Sequence, residues 1–261
     1  MMPHWFLISG LLAFLSLDVA AVGQFMVCRP IVVGPLVGWF LGHPDIGLEM
    51  GALIELIWIG DLPVGAHLPM DLMMLSGVSV AFACELLGNQ YPPEAVMTYA
   101  LGMTIPLAAL STEVDIFISK FNVRWVHLAQ RMALGGHFRT FAWINWFVLV
   151  ELLVKGFLVA AVSLTLVHFT SGLFFLFTAI LNGRVIEGLY YAHWLLLALG
   201  CSAVIDLLVE KKTAIYLFLS IVTIMGLAIF YHMQGVYLVS LALCVGFALA
   251  LFFMGKGETN G

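Results

Sequence analysis

The chain has 261 residues, of which 63% are hydrophobic and 10% charged, and its formal net charge is -5. A mean hydropathy of +1.09 excludes an ordinary soluble domain, because a globule of this length has too little interior to hide so much apolar surface. The Lys and Arg residues are scattered, so no clustered basic face for nucleic acid is expected. Composition therefore predicts one integral membrane domain over residues 1–261, all-α and polytopic, with about eight to ten membrane segments.

The first two apolar segments differ in length. Residues 5–22 have no Lys or Arg before them and are interpreted as a retained first span rather than a signal peptide. The second segment begins at Pro30, which suits the first turn of a helix, and ends near Gly42. It is too short to cross a bilayer as a straight helix, so a short or broken helix is expected. Between the two segments, Arg29 is expected to pair with an acid such as Asp18.

The stretch 45–71 combines ionisable residues with repeated Gly and Pro. The pattern predicts a helix near 46–59 and irregular backbone over 60–71. Irregular backbone at membrane depth is tolerated only where protein or water satisfies its polar groups, and transporters place their substrates beside such interrupted helices. This stretch is therefore the predicted solute site. Its candidate side chains are Glu55, Trp58, Asp61, His67 and Asp71, and it also contains Glu49.

Glu55 and Asp71 are the leading candidates for contact with a solute. Carboxylates accept hydrogen bonds from vicinal hydroxyls, and the face of Trp58 suits the C–H face of a sugar ring. The same residues suit a cation equally well. Structural roles also remain open, since Glu55 can accept backbone N–H groups of a broken helix and Asp71 can cap the next helix. Asp61 and His67 are weighed as loop or packing residues against ligand contacts.

Two ordinary spans, 72–87 and 95–110, precede the longest polar region, 113–139. Apolar residues recur three or four apart in that region, which indicates an amphipathic helix. It also holds four of the ten basic residues, so the positive-inside rule predicts a cytoplasmic connecting arm. The basic residues are Lys120, Arg124, Arg131 and Arg139.

The second half begins with a span over 141–167, in which Glu151 and Lys155 have the spacing of an ion pair along one helix. Residues 172–180 are apolar but too short to cross alone, which indicates a second interrupted or re-entrant segment. Further spans are predicted over 192–208, 214–231 and 236–254. Whether the chain consists of two related halves stays open at this level.

Motifs for familiar catalytic chemistry are missing from the sequence. It has no Walker-type glycine loop, HExxH, nucleophile elbow or CxxC, so neither a catalytic residue nor a cofactor or metal is predicted. The four cysteines lie singly in apolar surroundings and are interpreted as small buried side chains. A membrane transport function remains.

Residues 24–75 closely resemble the membrane IIC subunit of the mannose/fructose/sorbose-type sugar phosphotransferase system. The matching residues are Gln24, Arg29-Pro30, Leu36-Val37-Gly38, Leu41-Gly42, Gly47, Gly51-Ala52-Leu53-Ile54-Glu55, Gly60, Gly65-Ala66 and Pro69-Met70-Asp71.

The resemblance implies a bacterial inner-membrane protein that binds a hexose or related sugar, with Gln24, Glu55 and Asp71 at or near it. It also implies a IID membrane subunit and cytoplasmic IIA and IIB phosphocarriers, in an oligomeric complex. The IIC subunit itself would carry no phosphorylated residue. The rival interpretation is a stand-alone ion-coupled transporter of a small polar solute, with Glu55 and Asp71 binding a cation or proton.

Overall fold

The computed structural model describes residues 2–21, 23–61, 68–87, 91–135, 138–180 and 184–208. Within these ranges the regular structure consists of seven helices, so the predicted all-α fold is confirmed. The predicted spans 214–231 and 236–254 lie outside the described residues. The helices are α1 (Met2–Ala20), α2 (Pro30–Leu41), α3 (Pro44–Ile57), α4 (Leu72–Leu86), α5 (Pro93–Leu134), α6 (Phe138–Ile180) and α7 (Arg184–Leu208).

Among the described residues, three segments are long and apolar enough to cross a membrane, judged by length and composition. They are Pro93–Leu134 in α5, Trp143–Leu176 in α6 and Arg184–Leu207 in α7. The helices α1, α2 and α4 are also apolar but shorter. This composition agrees with the predicted membrane location.

Helices α2 and α3 form a tight antiparallel hairpin. Proline starts each helix, and Gly42 ends α2 with a φ of 84°, a left-handed conformation that glycine adopts without a steric penalty. A Cβ atom on Gly34 would lie 2.3 Å from the carbonyl oxygen of Gly47, and one on Gly51 would lie 2.4 Å from that of Pro30. The backbones are therefore in direct contact, as in membrane helix pairs with small residues four apart.

Helix α4 is the centre of the bundle. Every residue from Met73 to Ala83 is buried, which is typical of a helix that is enclosed on all sides. It packs against α2, α5, α6, α3 and α1. Gly77 allows the close approach of α1, because a Cβ there would meet the Leu12 side chain at 2.3 Å.

Helices α5 and α6 form a long antiparallel hairpin. At 42 and 43 residues, each is about 63 Å long, roughly twice the thickness of a bilayer's hydrocarbon core. Part of the hairpin must therefore lie outside that core. The facing pairs are Tyr91 with Thr178, Tyr99 with Thr170, Asp115 with Lys155, Asn122 with Glu151, and Trp125 with Phe147.

This hairpin corrects two predicted boundaries. The span 95–110 and the polar region up to Leu134 belong to one helix, because the backbone hydrogen bonds of a helix continue when the side chains become polar. Residues 172–180 are the end of α6 rather than a separate short segment, and Gly172 does not interrupt that helix. Seen by itself, the apolar run 172–180 was too short to indicate the helix it completes.

Helix α7 runs parallel to α3. His193 contacts Glu49, with 3.2 Å between Nε2 and Oε1. Seven residues further along both helices, Gly200 packs against Leu56, where a Cβ atom would lie 2.8 Å from the Leu56 Cβ. In this parallel register, α7 packs against the C-terminal end of α3, which carries Glu55.

We expect Gly47→Ala to destabilise the protein by about 1 to 3 kcal/mol, since the added methyl meets backbone that cannot rotate away. Gly102→Ala is the matched control, because it also lies within a helix and has no atom within 4 Å of the added Cβ. Thermal unfolding in detergent should show a lower midpoint for Gly47→Ala only. Equal midpoints for both variants would contradict the packing described for the hairpin.

Candidate functional site

The loop between α1 and α2 is organised by Asp18. Its carboxylate accepts the backbone N–H groups of Phe25 and Val27 at 2.8 and 2.9 Å. Gln24 lies in this loop with a φ of 51° and is exposed. Backbone donors thus satisfy the Asp18 carboxylate, so the expected pairing of Arg29 with an acid involves a residue other than Asp18.

Arg29 instead reaches Glu55 near the end of α3. The distance between Nη1 and Oε1 is 3.0 Å, and the Glu55 side chain is 21% exposed. The hairpin register explains the pair, since Pro30 faces Gly51 and Glu55 follows one turn later. The second carboxylate oxygen of Glu55, Oε2, is buried and has no hydrogen-bond partner among the residues that the structure describes.

Asp71 caps the first turn of α4, which confirms the structural role weighed for it. Oδ1 accepts the backbone N–H of Met74 at 3.0 Å, and Oδ2 accepts the hydroxyl of Ser111 on α5 at 2.6 Å. The backbone N–H of Asp71 donates to Thr112 Oγ1 at 3.0 Å. In this conformation both carboxylate oxygens are therefore engaged.

The two acids are linked through the start of α4. The buried Ser76 hydroxyl donates to the Pro30 carbonyl oxygen at 3.3 Å, so the Arg29 end of α2 packs on α4. Asp71 precedes Ser76 by little more than one helical turn. The structure thus places Arg29, Glu55 and Asp71 around one region, the junction of α2, α3 and α4.

The other predicted site residues are distributed as follows. Trp58 ends α3, is half-buried, and its carbonyl oxygen accepts the backbone N–H of Asp61 at 3.0 Å. Asp61 is the last residue of that described segment and is half-buried. His67 lies outside the described residues. Their contact with a solute, like that of Gln24, stays a prediction.

Several polar contacts between helices escaped the sequence interpretation. Lys155 forms an ion pair with Asp115 on α5, so the predicted pair with Glu151 in its own helix is wrong. Glu151 faces Asn122 instead. The available signal was an acid and a lysine on two neighbouring apolar helices, but only the helix register shows which residues meet. The other contacts are Glu49 with His193 and Glu85 with His168.

Metal binding has no support in the described part of the chain. No group of three or more His, Cys, Asp or Glu side chains there is arranged to hold an ion. Cys28, Cys84 and Cys201 are free and half-buried.

Two solved structures share this architecture. One, titled "Structure of membrane protein", superposes with a TM-score of 0.62 at 21% identity, covering 89% of this chain and 93% of that one. The other is a complex of the mannose transporter ManYZ with microcin E492, with a TM-score of 0.52 at 22% identity, covering 89% of this chain and 91% of that one. At these identities the likeness concerns the fold.

Curated relatives match over shorter regions. The sorbose-specific EIIC component of Lacticaseibacillus casei is 25% identical over 147 residues, which are 55% of this chain and 50% of that protein. The mannose-specific EIIC component of Escherichia coli K12 is 27% identical over 138 residues, 51% of this chain and 49% of that protein. The match thus spans about half the length of these two relatives.

A third curated relative matches a shorter region, whereas a family model matches most of the chain. A putative N-acetylgalactosamine permease IIC component 2 of Escherichia coli K12 is 33% identical over 100 residues, 38% of this chain and 69% of that protein. A model described as the PTS system sorbose-specific IIC component matches residues 5–252. Because this match includes every described helix beyond the first few residues of α1, the chain belongs to the family of sorbose-specific IIC components of the phosphotransferase system.

Proposed function

We propose that this chain is the sugar-translocating IIC subunit of a phosphoenolpyruvate-dependent phosphotransferase system in a bacterial inner membrane. The observation that carries the proposal is the family match over residues 5–252. The apolar helices and the polar junction of α2, α3 and α4 support it. The solute is a hexose or a related sugar.

Glu55 is the proposed primary sugar contact. Its Oε1 is held by Arg29, while Oε2 is buried and unpaired among the described residues. An unpaired buried acceptor costs free energy, which a sugar hydroxyl would recover by donating to it. Arg29 fixes the direction of the carboxylate, so Oε2 is oriented before the sugar arrives.

Asp71 is the proposed second contact. A carboxylate oxygen can accept two hydrogen bonds, so Oδ1 and Oδ2 can each accept a further hydroxyl while keeping Met74 and Ser111. We place Gln24, Trp58, Asp61 and His67 around the same sugar, with the Trp58 ring against its apolar face. Trp58 follows Glu55 by three residues, which supports a shared side of the junction.

The chain's part in the reaction is positioning. A cytoplasmic IIB subunit, charged by IIA, transfers the phosphoryl group to a sugar hydroxyl, and transfer of this kind depends mainly on orientation and charge stabilisation. Glu55 and Asp71 hold the hydroxyls in place, and no residue of this chain is phosphorylated. A IID membrane subunit completes an oligomeric complex.

The function is tested by uptake of a panel of radiolabelled sugars into vesicles that contain the complete complex. With phosphoenolpyruvate and the phosphocarriers, we expect at least one sugar to accumulate as its phosphate. Omitting either should abolish accumulation. Accumulation of unmodified sugar that follows a sodium or proton gradient would overturn the proposal in favour of an ion-coupled transporter.

We expect Glu55→Gln to weaken sugar binding roughly ten- to a hundred-fold, because a hydrogen bond from a ligand to a charged group contributes about 1.5 to 3 kcal/mol. Glu49→Gln is the matched control, since it makes the same change on the same helix where Glu49 faces His193. Titration of the purified variants with the transported sugar measures the effect. Unchanged affinity in Glu55→Gln would remove Glu55 from the site.

Two substitutions at Asp71 separate a sugar contact from helix capping. Asn is as good a helix cap as Asp, so Asp71→Asn should keep the thermal stability yet bind sugar about tenfold more weakly. Asp71→Ala should also lose about 0.5 to 2 kcal/mol of stability, because the cap on Met74 is lost. If Asp71→Asn binds sugar normally and only Asp71→Ala is affected, Asp71 is a cap alone.

Residues 113–139 are the proposed cytoplasmic arm, on which a phosphocarrier docks. Arg124 and Arg131 are exposed there, and Arg124 lies 5.6 Å above the Phe121 ring. Reversing both charges with Arg124→Glu and Arg131→Glu should lower phosphorylation at limiting IIB at least several-fold, since charge complementarity speeds association. Sugar binding should not change.

Arg184→Glu is the control for the arm, because Arg184 is an exposed arginine at the start of α7, where α6 ends. Phosphorylation rates at several IIB concentrations provide the measurement. If the double variant matches the wild type at every IIB concentration, the two arginines do not dock the carrier.

A further inference from the structure

Lys155 is a buried cation in the middle of α6. Its side chain is 10% exposed, and its ammonium contacts the Asp115 carboxylate on α5. A largely buried lysine is costly unless an acid compensates its charge, and Asp115, at 39% exposed, supplies that acid. We therefore expect the pair to have a role beyond joining two apolar helices.

The acid of Lys155's own helix is engaged elsewhere. The Asn122 amide nitrogen, in the orientation that faces α6, lies 3.2 and 3.1 Å from the two carboxylate oxygens of Glu151. Among the described residues, two cross-links of the hairpin thus include a charged side chain, one at Asn122 and Glu151 and one at Asp115 and Lys155. The two cross-links have different neighbouring residues.

The Asp115 cross-link adjoins the cap of α4. Asp115 follows Ser111 by one helical turn, and Ser111 donates to Asp71 at 2.6 Å. Thr112 accepts the backbone N–H of Asp71 at 3.0 Å. A continuous polar row therefore runs from α4 through α5 to α6.

From this row we infer that Lys155 is a positioning residue for the sugar site. Its ammonium contacts the Asp115 carboxylate, and by holding Asp115 it keeps the Ser111 turn of α5 against Asp71. Without it, Asp115 and Asp71 repel each other, and the Ser111 contact loosens. The inference rests on the proposed function, because it assigns Lys155 an effect on sugar binding through Asp71.

A purely structural role for the pair predicts something different. Both cross-links then fasten α5 to α6, and loss of either should lower stability and leave sugar affinity alone or affect it equally. Glu151→Gln is consequently the matched control for Lys155→Met, since each removes one charge from the same hairpin one turn apart.

The first test is a double-mutant cycle on the full chain in its complex. Lys155→Met should weaken binding of the transported sugar about tenfold, Lys155→Arg should restore most of it, and Glu151→Gln should leave it unchanged. In the Asp71→Asn background, Lys155→Met should have little further effect. An equal loss in both backgrounds, or an equal loss in Glu151→Gln, would overturn the inference.

The second test needs no sugar. Amide hydrogen exchange at Met74, the donor to Asp71, reports the cap directly. Lys155→Met should accelerate this exchange several-fold and Glu151→Gln should not. Unchanged exchange in Lys155→Met overturns the inference whatever the sugar affinity. Accelerated exchange in a protein that binds none of the sugars upholds the link from Lys155 to Asp71 and overturns the proposed function instead.

Discussion

Direct backbone contact between α2 and α3 determines where the charges of the candidate site lie. Gly34 and Gly47 meet without a side chain between them, so the two helices have a single register. That register brings Arg29, just before α2, within reach of Glu55 in the last turns of α3. A larger residue at the contact would separate the helices and leave a buried acid without its cation, so the charge pair depends on the glycines.

Among the described residues, four charged contacts join different helices or their ends. In each contact one side chain is at most 21% exposed, so its charge or polar group would be costly to leave without a partner. Packing of apolar side chains tolerates small slips, whereas a charge and its partner must meet at one position. The polar contacts therefore select one register of the bundle. They are Arg29 with Glu55, Asp115 with Lys155, Glu49 with His193, and Glu85 with His168.

Local signals in the sequence predicted the first half of the fold closely. Pro30 and Asp71 mark the starts of α2 and α4, and Gly42 marks the end of α2. The partner of Lys155 was not predictable in this way, because Glu151 satisfies the rule for pairs within one helix and the opposing residue is 40 positions away. The same limit applies to Ser111, whose role depends on how α5 meets α4.

The two acids of the proposed site differ in what sugar binding demands of them. Glu55 has a free, oriented oxygen, so a hydroxyl can bind there without breaking a contact among the described residues. At Asp71 a hydroxyl shares oxygens that already hold Ser111 and the first turn of α4. In the proposed site, a hydroxyl bound at Glu55 would therefore meet a free acceptor, whereas one bound at Asp71 would share the carboxylate that joins α4 to α5. Ser111 and Asp115 connect that contact to Lys155 on α6. A hydroxyl bound at Asp71 would therefore be coupled to the packing of the α5–α6 hairpin.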